Sequence, residues 1–186
     1  RFYDFNVHTV ADGKNTVNEV LALAKHFRFS GIAVTNHSNV ENIHIEQGVQ
    51  TGVEAFKAVE IVASNPSKLH GLVGKYRKDV NVLAVHGGSE DINRAAVENP
   101  NVDILTHPQT TKNGGINHVL AKSASYNNVA IEFNLDTIIK GRGGRRVHTL
   151  SFFSKNLELA RKYNVPTIIT SNAHSRYELR APGEMV

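Results

Sequence analysis

Cysteine and tryptophan are both absent from the 186 residues, and methionine occurs once. Without a thiol the chain has no disulfide, no thiolate nucleophile, no zinc finger and no iron–sulfur ligand. That suits a reducing compartment, and a cytoplasmic location is the expectation. Long apolar runs are missing too. None approaches the ~20 residues that span a bilayer, so no membrane partner is expected. The opening Arg1-Phe2-Tyr3-Asp4 lacks the apolar stretch of a signal peptide. It is not a methionine start either, so at least an initiator is expected ahead of it. No glycine fingerprint of the dinucleotide or P-loop kind follows an apolar run, which weakens a nucleotide-binding reading. Proline, at 5 residues, sets few breaks along the chain.

What is present suffices for a core: 40% of residues are hydrophobic, with 8 Phe and 5 Tyr. The length suits a single domain over 1–186. Lys and Arg number 21 against 17 acids, a net charge of +4. This permits a phosphate-rich partner without demanding one.

The pattern alternates short Val- and Ile-rich runs with amphipathic stretches. The runs are Phe2–Val7, Gly31–Thr35, Ala58–Ala63, Val80–Val85, Val102–Leu105, Val129–Phe133 and Pro166–Thr170. Several lack polar alternation, as strands buried on both faces do. Helical patterns lie between them. One starts after Asn15-Thr16, with Val17, Val20, Leu21 and Ala24 on one face. A second follows Gly114-Gly115, and a third runs from about His148 to Tyr163. Strand–helix alternation of this kind predicts an α/β fold with a parallel sheet. Seven units suggest a (β/α) TIM-like barrel, incomplete or distorted, with about seven strands. An open doubly wound sheet is the alternative.

Histidine is abundant, with 10 residues. His8, His37, His86, His107 and His174 each end or follow an expected strand. In a barrel the carboxyl ends of all strands converge on one face, so these imidazoles should meet there. Glu60 and Glu132, inside expected strands, could join them. The local motifs carry a resemblance. Asp4-Phe5-Asn6-Val7-His8-Thr9, Val34-Thr35-Asn36-His37 and Ser171-Asn172-Ala173-His174 resemble motifs of the polymerase-and-histidinol-phosphatase (PHP) superfamily. Asn6, Asn36 and Asn172 stand where that superfamily has a His and two Asp. An amide brings no charge and bridges two metals poorly, so the pattern reads as a site that has lost its metals. The histidines left behind could hydrogen-bond to these amides. A single ion held through His8, His37 or His174 is the next reading.

Taken together, these motifs resemble the ribonuclease P protein component 3 family. Asp103-Ile104-Leu105-Thr106-His107-Pro108, Ala130-Ile131-Glu132-Phe133-Asn134 and Glu178-Leu179-Arg180-Ala181-Pro182 add to the likeness, which spans nearly the whole chain. It implies a PHP-like barrel and a non-catalytic protein subunit of ribonuclease P. That RNA-based endoribonuclease removes the 5′ leader of precursor tRNA. No catalytic residue and no metal or other cofactor is implied on this chain, and Mg2+ is implied on the RNA subunit. The implied partners are ribonuclease P RNA, protein component 2, the other ribonuclease P proteins and, indirectly, precursor tRNA. The likeness also implies a closing barrel unit beyond Val186.

Phosphate contacts are made by Arg and Lys. The strongest candidates are Lys140, Arg142, Arg145 and Arg146, in a glycine-rich stretch expected to be a flexible loop ahead of a helix near His148. Lys75, Arg77 and Lys78 form a second basic run around Tyr76, which could stack on a base. Lys112, Arg176 and Arg180 are weaker candidates, and Arg180 could instead pair with Glu178 or Glu184. Two other functions compete. One is a PHP-type metal phosphoesterase using His8, His37, Glu60, His86, His107 and His174. The other is a sugar- or phosphate-binding barrel with no use for the arginines.

Overall fold

The computed structural model describes residues 1–40, 52–110 and 114–185. Seven strands alternate with helices along it. The strands are β1 (Tyr3–Val7), β2 (Gly31–Val34), β3 (Glu54–Ile61), β4 (Val82–His86), β5 (Ile104–Thr106), β6 (Ala130–Asn134) and β7 (Thr167–Thr170). The helices are α1 (Val17–His26), α2 (Pro66–Tyr76), α3 (Glu90–Val97), α4 (His118–Asn127), α5 (Leu135–Lys140), α6 (Gly143–Tyr163) and α7 (Pro182–Met185). The strands pair in chain order, all parallel, from β1 to β7. The expected seven-strand barrel is thus observed, and the open doubly wound sheet is not.

Local chemistry explains the helix starts. Thr16 caps α1 in a capping box with Glu19, and Val17, Val20, Leu21 and Ala24 are buried behind it. Asn65, Ser89 and Asn117 each accept a backbone N–H at the starts of α2, α3 and α4. The helices cover the outer face of the sheet, where Leu83, Leu105 and Ile131 of the strands and Leu120 of α4 are fully buried. Each such side chain contributes about 1.5–3 kcal/mol of burial. The outer face of β7 is the exception, with Ile169 exposed.

The barrel interior is layered. Its lower end is apolar: Phe5, Val82, Ala84, Ile104, Ala130 and Ile168 pack together. One pleat step further up each strand, the side chains turn polar: Glu60, Thr106, Glu132 and Thr170 are all buried. A register shift in β1 between Asp4 and Val7 brings Asn6 into this layer. β1 and β7 meet mainly at the top. Val7 bridges Ala173, the His8 N–H donates to the Ala173 carbonyl at 2.8 Å, and the Ser171 N–H donates to Asp4 at 3.2 Å.

Two boundaries depart from expectation. β3 begins at Glu54 rather than Ala58, because Gly31 to Val34 pair with Glu54 to Lys57. α6 begins at Gly143, more than a turn before His148. The expected flexible loop from Lys140 to Arg146 is therefore helix on both sides of a two-residue corner, Gly141-Arg142. Gly141 is required at that corner, since a Cβ there would sit 2.6 Å from the Thr137 carbonyl oxygen.

Candidate functional site at the barrel mouth

The five strand-end histidines do meet. Ring centroids run from His174 to His8 at 4.0 Å, His8 to His37 at 4.8 Å, His37 to His86 at 5.3 Å and His86 to His107 at 4.7 Å. They form one arc across the carboxyl ends of the strands. His107 and Asn172 take left-handed backbone there, at φ 46° and 50°. For a histidine this is an uncommon conformation, of the kind that gathers at functional sites.

The three amides have distinct partners. Asn6 donates to Glu132 Oε1 at 2.7 Å and accepts from the Thr35 hydroxyl at 2.8 Å. Asn36 accepts the Thr9 N–H at 2.8 Å and donates to the Thr9 hydroxyl at 3.1 Å. Only Asn172 faces an imidazole, His8 Nε2 at 2.9 Å. The amides thus make a bonded polar layer, but mostly with threonine and glutamate rather than with the histidines.

Asp12, four residues after His8, organises the arc although nothing in a strand–helix reading marks it. Its Oδ2 accepts from His8 Nδ1 at 2.9 Å, from His37 Nδ1 at 2.7 Å and from the His37 backbone N–H at 2.7 Å. Burial raises its pKa, but the hydrogen bonds from His37 and His8 outweigh that and hold it well below the usual carboxylate range. Burial likewise works against ionised Glu60, yet His86, His107 and His37 pull its pKa down to about 2. His37 is raised: burial opposes its charge, and Asp12 and Glu60 overcome that. His174 is lowered by burial and by the neighbouring His8.

The two interior carboxylates differ. Glu132 has a donor on each oxygen: Oε1 takes Asn6 and the Thr170 hydroxyl at 2.6 Å, and Oε2 takes the His107 N–H at 3.1 Å. Glu60 Oε1 accepts from Thr106 at 2.5 Å and His86 Nδ1 at 2.7 Å, while its buried Oε2 has no hydrogen-bond donor among the described residues. Among the described residues, two groups have ligand atoms close together: His8, Asp12 and His37, and His37, Glu60 and His86.

The basic candidates separate by end of the barrel. α5 and α6 follow β6, so Arg142 and Arg145 lie on the mouth side, both exposed. Arg145 lines a cleft of about 490 Å³ with His148, Thr149, Thr137, Gln109 and Phe152. His148 was not anticipated as a binding residue, because it sits inside a helix pattern. Arg146 turns inward instead, donating to the carbonyls of Ile138 at 2.9 Å, Gly141 at 3.1 Å and Ile139 at 3.3 Å. Lys140 sits between Asp136 and Glu178, 2.8 Å from each, which raises its pKa despite some burial.

Lys75, Arg77 and Lys78 lie at the opposite end, ahead of β4. Arg77 pairs with Asp103 at 2.6 Å and donates to the carbonyls of Val80, Asn81 and Asn101. Tyr76 is only 7% exposed and belongs to the core, which corrects its reading as a stacking platform. An exposed aromatic does occur elsewhere: Tyr177, 74% exposed, with the Arg176 guanidinium 4.9 Å from its ring. Arg180 donates to the Tyr177 carbonyl at 3.3 Å. Glu178 pairs with Lys140 and Glu184 accepts the Ala181 N–H, so neither expected ion pair of Arg180 is what the structure shows. Lys112 lies outside the described residues.

Known proteins resemble this chain in sequence and in shape. Ribonuclease P protein component 3 of Methanococcoides burtonii is 61% identical over 185 residues, covering 100% of this chain and 76% of that protein. A chain in a cryo-EM structure of archaeal ribonuclease P with mature tRNA superposes with a TM-score of 0.79 at 30% identity. The match covers 98% of this chain and 79% of that one. Histidinol phosphate phosphatase from Lactococcus lactis, complexed with zinc, L-histidinol and phosphate, shares the fold alone, with a TM-score of 0.63 at 10% identity. There the match covers 94% of this chain and 86% of that one. The barrel with amides among its mouth histidines, matched over residues 1–186, belongs to the family of RNase P subunit p30.

Proposed function

We propose that this chain is a non-catalytic protein subunit of ribonuclease P, the endoribonuclease that matures the 5′ end of tRNA. Membership of the p30 family over its whole length carries this reading. The donor set at the mouth supports the non-catalytic part. Two-metal phosphoester hydrolysis needs acids that bridge and charge-balance the ions. Here Glu132 has both oxygens bonded within the barrel, and Asn6, Asn36 and Asn172 bring no charge. The chain contributes to the assembly by binding, not by chemistry. The Mg2+ that hydrolysis requires is assigned to the RNA subunit.

RNA phosphates are met on the mouth side. Arg142 and Arg145 stand free at the amino end of α6, whose N-cap Arg142 makes no side-chain capping bond. The helix dipole and the guanidiniums both favour an anion there. Arg176 on Tyr177 offers a second contact of the kind that stacks on a base. Lys75 and Lys78 supply charge at the other end. Component 2, the other ribonuclease P proteins and precursor tRNA follow as partners in a cytoplasmic ribonucleoprotein. No helix among the described residues is long and apolar enough to cross a membrane.

The test is reconstitution at fixed salt. Ribonuclease P RNA and the partner proteins are assembled with and without the full-length protein, and precursor-tRNA cleavage is followed against Mg2+. The protein should lower the Mg2+ needed, and Arg142→Ala with Arg145→Ala should lose much of that gain. Chelator-sensitive phosphoester hydrolysis by the protein alone would overturn the reading in favour of a phosphoesterase.

A further inference from the structure

We propose, resting on the RNA-binding reading above, that the cleft between α6 and the connection after β5 takes one unpaired nucleotide of RNA, with its base inside and its phosphate at the lip. Arg145, His148, Thr149 and Phe152 stand at i, i+3, i+4 and i+7, so one face of α6 supplies one wall. Gln109, three residues past β5, and Thr137 of α5 line the rest of a cleft of about 490 Å³. That size falls within the roughly 300–1,000 Å³ of small-molecule sites. The backbone beside Gln109 is anchored from behind. Asn93, buried in α3, donates to the Pro108 carbonyl at 2.7 Å and to the Gly115 carbonyl at 3.3 Å. Asn156, buried in α6, accepts the Ile116 N–H at 3.3 Å. Two buried amides thus fix Pro108 and Gly115-Ile116, and tie the second of these to the helix that forms the other wall.

The lining has the chemistry of a base site. Phe152 is half-buried, with the His148 ring 6.5 Å away and tilted by 33°. The Thr137 and Thr149 hydroxyls donate to the carbonyls of Asn134 at 2.8 Å and Arg145 at 3.1 Å, so these residues offer the cleft methyl rather than hydroxyl. A flat aromatic base stacks on such a surface. Gln109 supplies the polar edge. Its buried Oε1 has no donor among the described residues, and the amino and ring N–H groups of a base are donors of the kind it lacks. Arg145 is exposed at the lip, and no Asp or Glu lines the cleft, so its guanidinium is left for a phosphate. A free inorganic anion would leave the Phe152 wall wet, and a purely apolar ligand would leave Gln109 and Arg145 unused. A base stacked inside a duplex cannot present its face to Phe152, which restricts the site to unpaired RNA.

The full-length protein is titrated with a labelled single-stranded oligoribonucleotide and with its duplex, by fluorescence anisotropy across a salt series. The single strand should bind more tightly. Phe152→Leu keeps an apolar side chain but removes the stack. It should weaken single-strand binding about 10-fold, with duplex binding and the salt slope unchanged, because a stack carries no charge. Phe152→Tyr should retain the affinity. Arg145→Gln should weaken both RNAs and reduce the salt slope by about 1. On the wild-type protein, a single strand carrying 4-thiouridine should cross-link to the peptide that contains Phe152. Equal loss for both RNAs, or no loss, in folded Phe152→Leu overturns the proposal. Cross-links confined to other peptides overturn it as well, and that result needs no variant to fold. A wild-type protein that binds neither RNA also overturns it. Whether that protein still lowers the Mg2+ needed in reconstitution decides the subunit reading separately.

Discussion

Single side chains at the mouth show why an amide cannot simply be exchanged for an acid. Asn6 Nδ2 donates to Glu132 Oε1 at 2.7 Å in a fully buried layer. Asn6→Asp would set two carboxylates against each other with no water between them. One must then keep a proton. The substitution should lower stability at pH 7 by about 2–3 kcal/mol and recover part of it on acidification, as followed by denaturant titration. An Asn6→Asp protein as stable as wild type would mean that Glu132 is not the fixed acceptor described here. Arg146 makes a second case. Its guanidinium closes the carboxyl end of α5, so Arg146→Ala should cost about 1–2 kcal/mol, whereas Arg145→Ala should cost almost nothing. Thermal denaturation of the two separates a structural arginine from a binding one. In sequence the four basic residues from Lys140 to Arg146 look alike, because direction is set by α5, which the glycine-rich stretch disguised. The histidine arc was legible, since parallel strands bring their ends together whatever the loops do. Asp12 was not. It returns to His8 and His37 through a tight turn with Ala11 at φ 91°, and tertiary geometry alone makes that visible.

Among the elements, the seam between β1 and β7 is where the barrel closes, and Asp4 sits in it. Its oxygens accept the N–H groups of Asn6 and Ser171 at 3.1 and 3.2 Å. Burial nevertheless dominates, and the pKa rises from 3.8 to about 6. Between those values the folded chain binds more protons than the unfolded one. The Asp4 contribution therefore lowers stability as pH rises from about 4 to about 6, and restores it on acidification. A shift of this size is worth about 3 kcal/mol. Asp12, held low, acts with the opposite sign and keeps its stabilisation well into acid. In Asp4→Asn the seam keeps an acceptor but loses the titration. The stability of the variant relative to wild type should climb by about 2 kcal/mol between pH 4 and pH 6.5. Parallel stability profiles for the two proteins would show that Asp4 is hydrated in the seam. The seven strands themselves were readable as Val- and Ile-rich runs. The early start of β3 was not, because Glu54 to Lys57 become strand only by pairing with β2.

At the scale of the whole molecule, the barrel sorts its positive charge between two ends, which a net charge of +4 conceals. Arg142, Arg145 and Arg176 lie with the strand carboxyl ends. Lys75 and Lys78 lie at the other, where Arg77 is committed to Asp103. If RNA is met at the mouth side, the two ends should differ in the salt dependence of binding, because each neutralised phosphate releases counterions. Removing Arg142 and Arg145 together should reduce the slope of log affinity against log salt by about 1–2. Removing Lys75 and Lys78 should leave that slope nearly unchanged, although the same number of charges is lost. The comparison holds net charge constant between the variants, so a general attraction to RNA predicts equal effects and a located contact predicts unequal ones. Filter binding of ribonuclease P RNA by the full-length protein across a salt series reads the difference directly. A larger loss from the lysine pair would move the RNA to the amino ends of the strands and leave the α6 arginines for a protein partner.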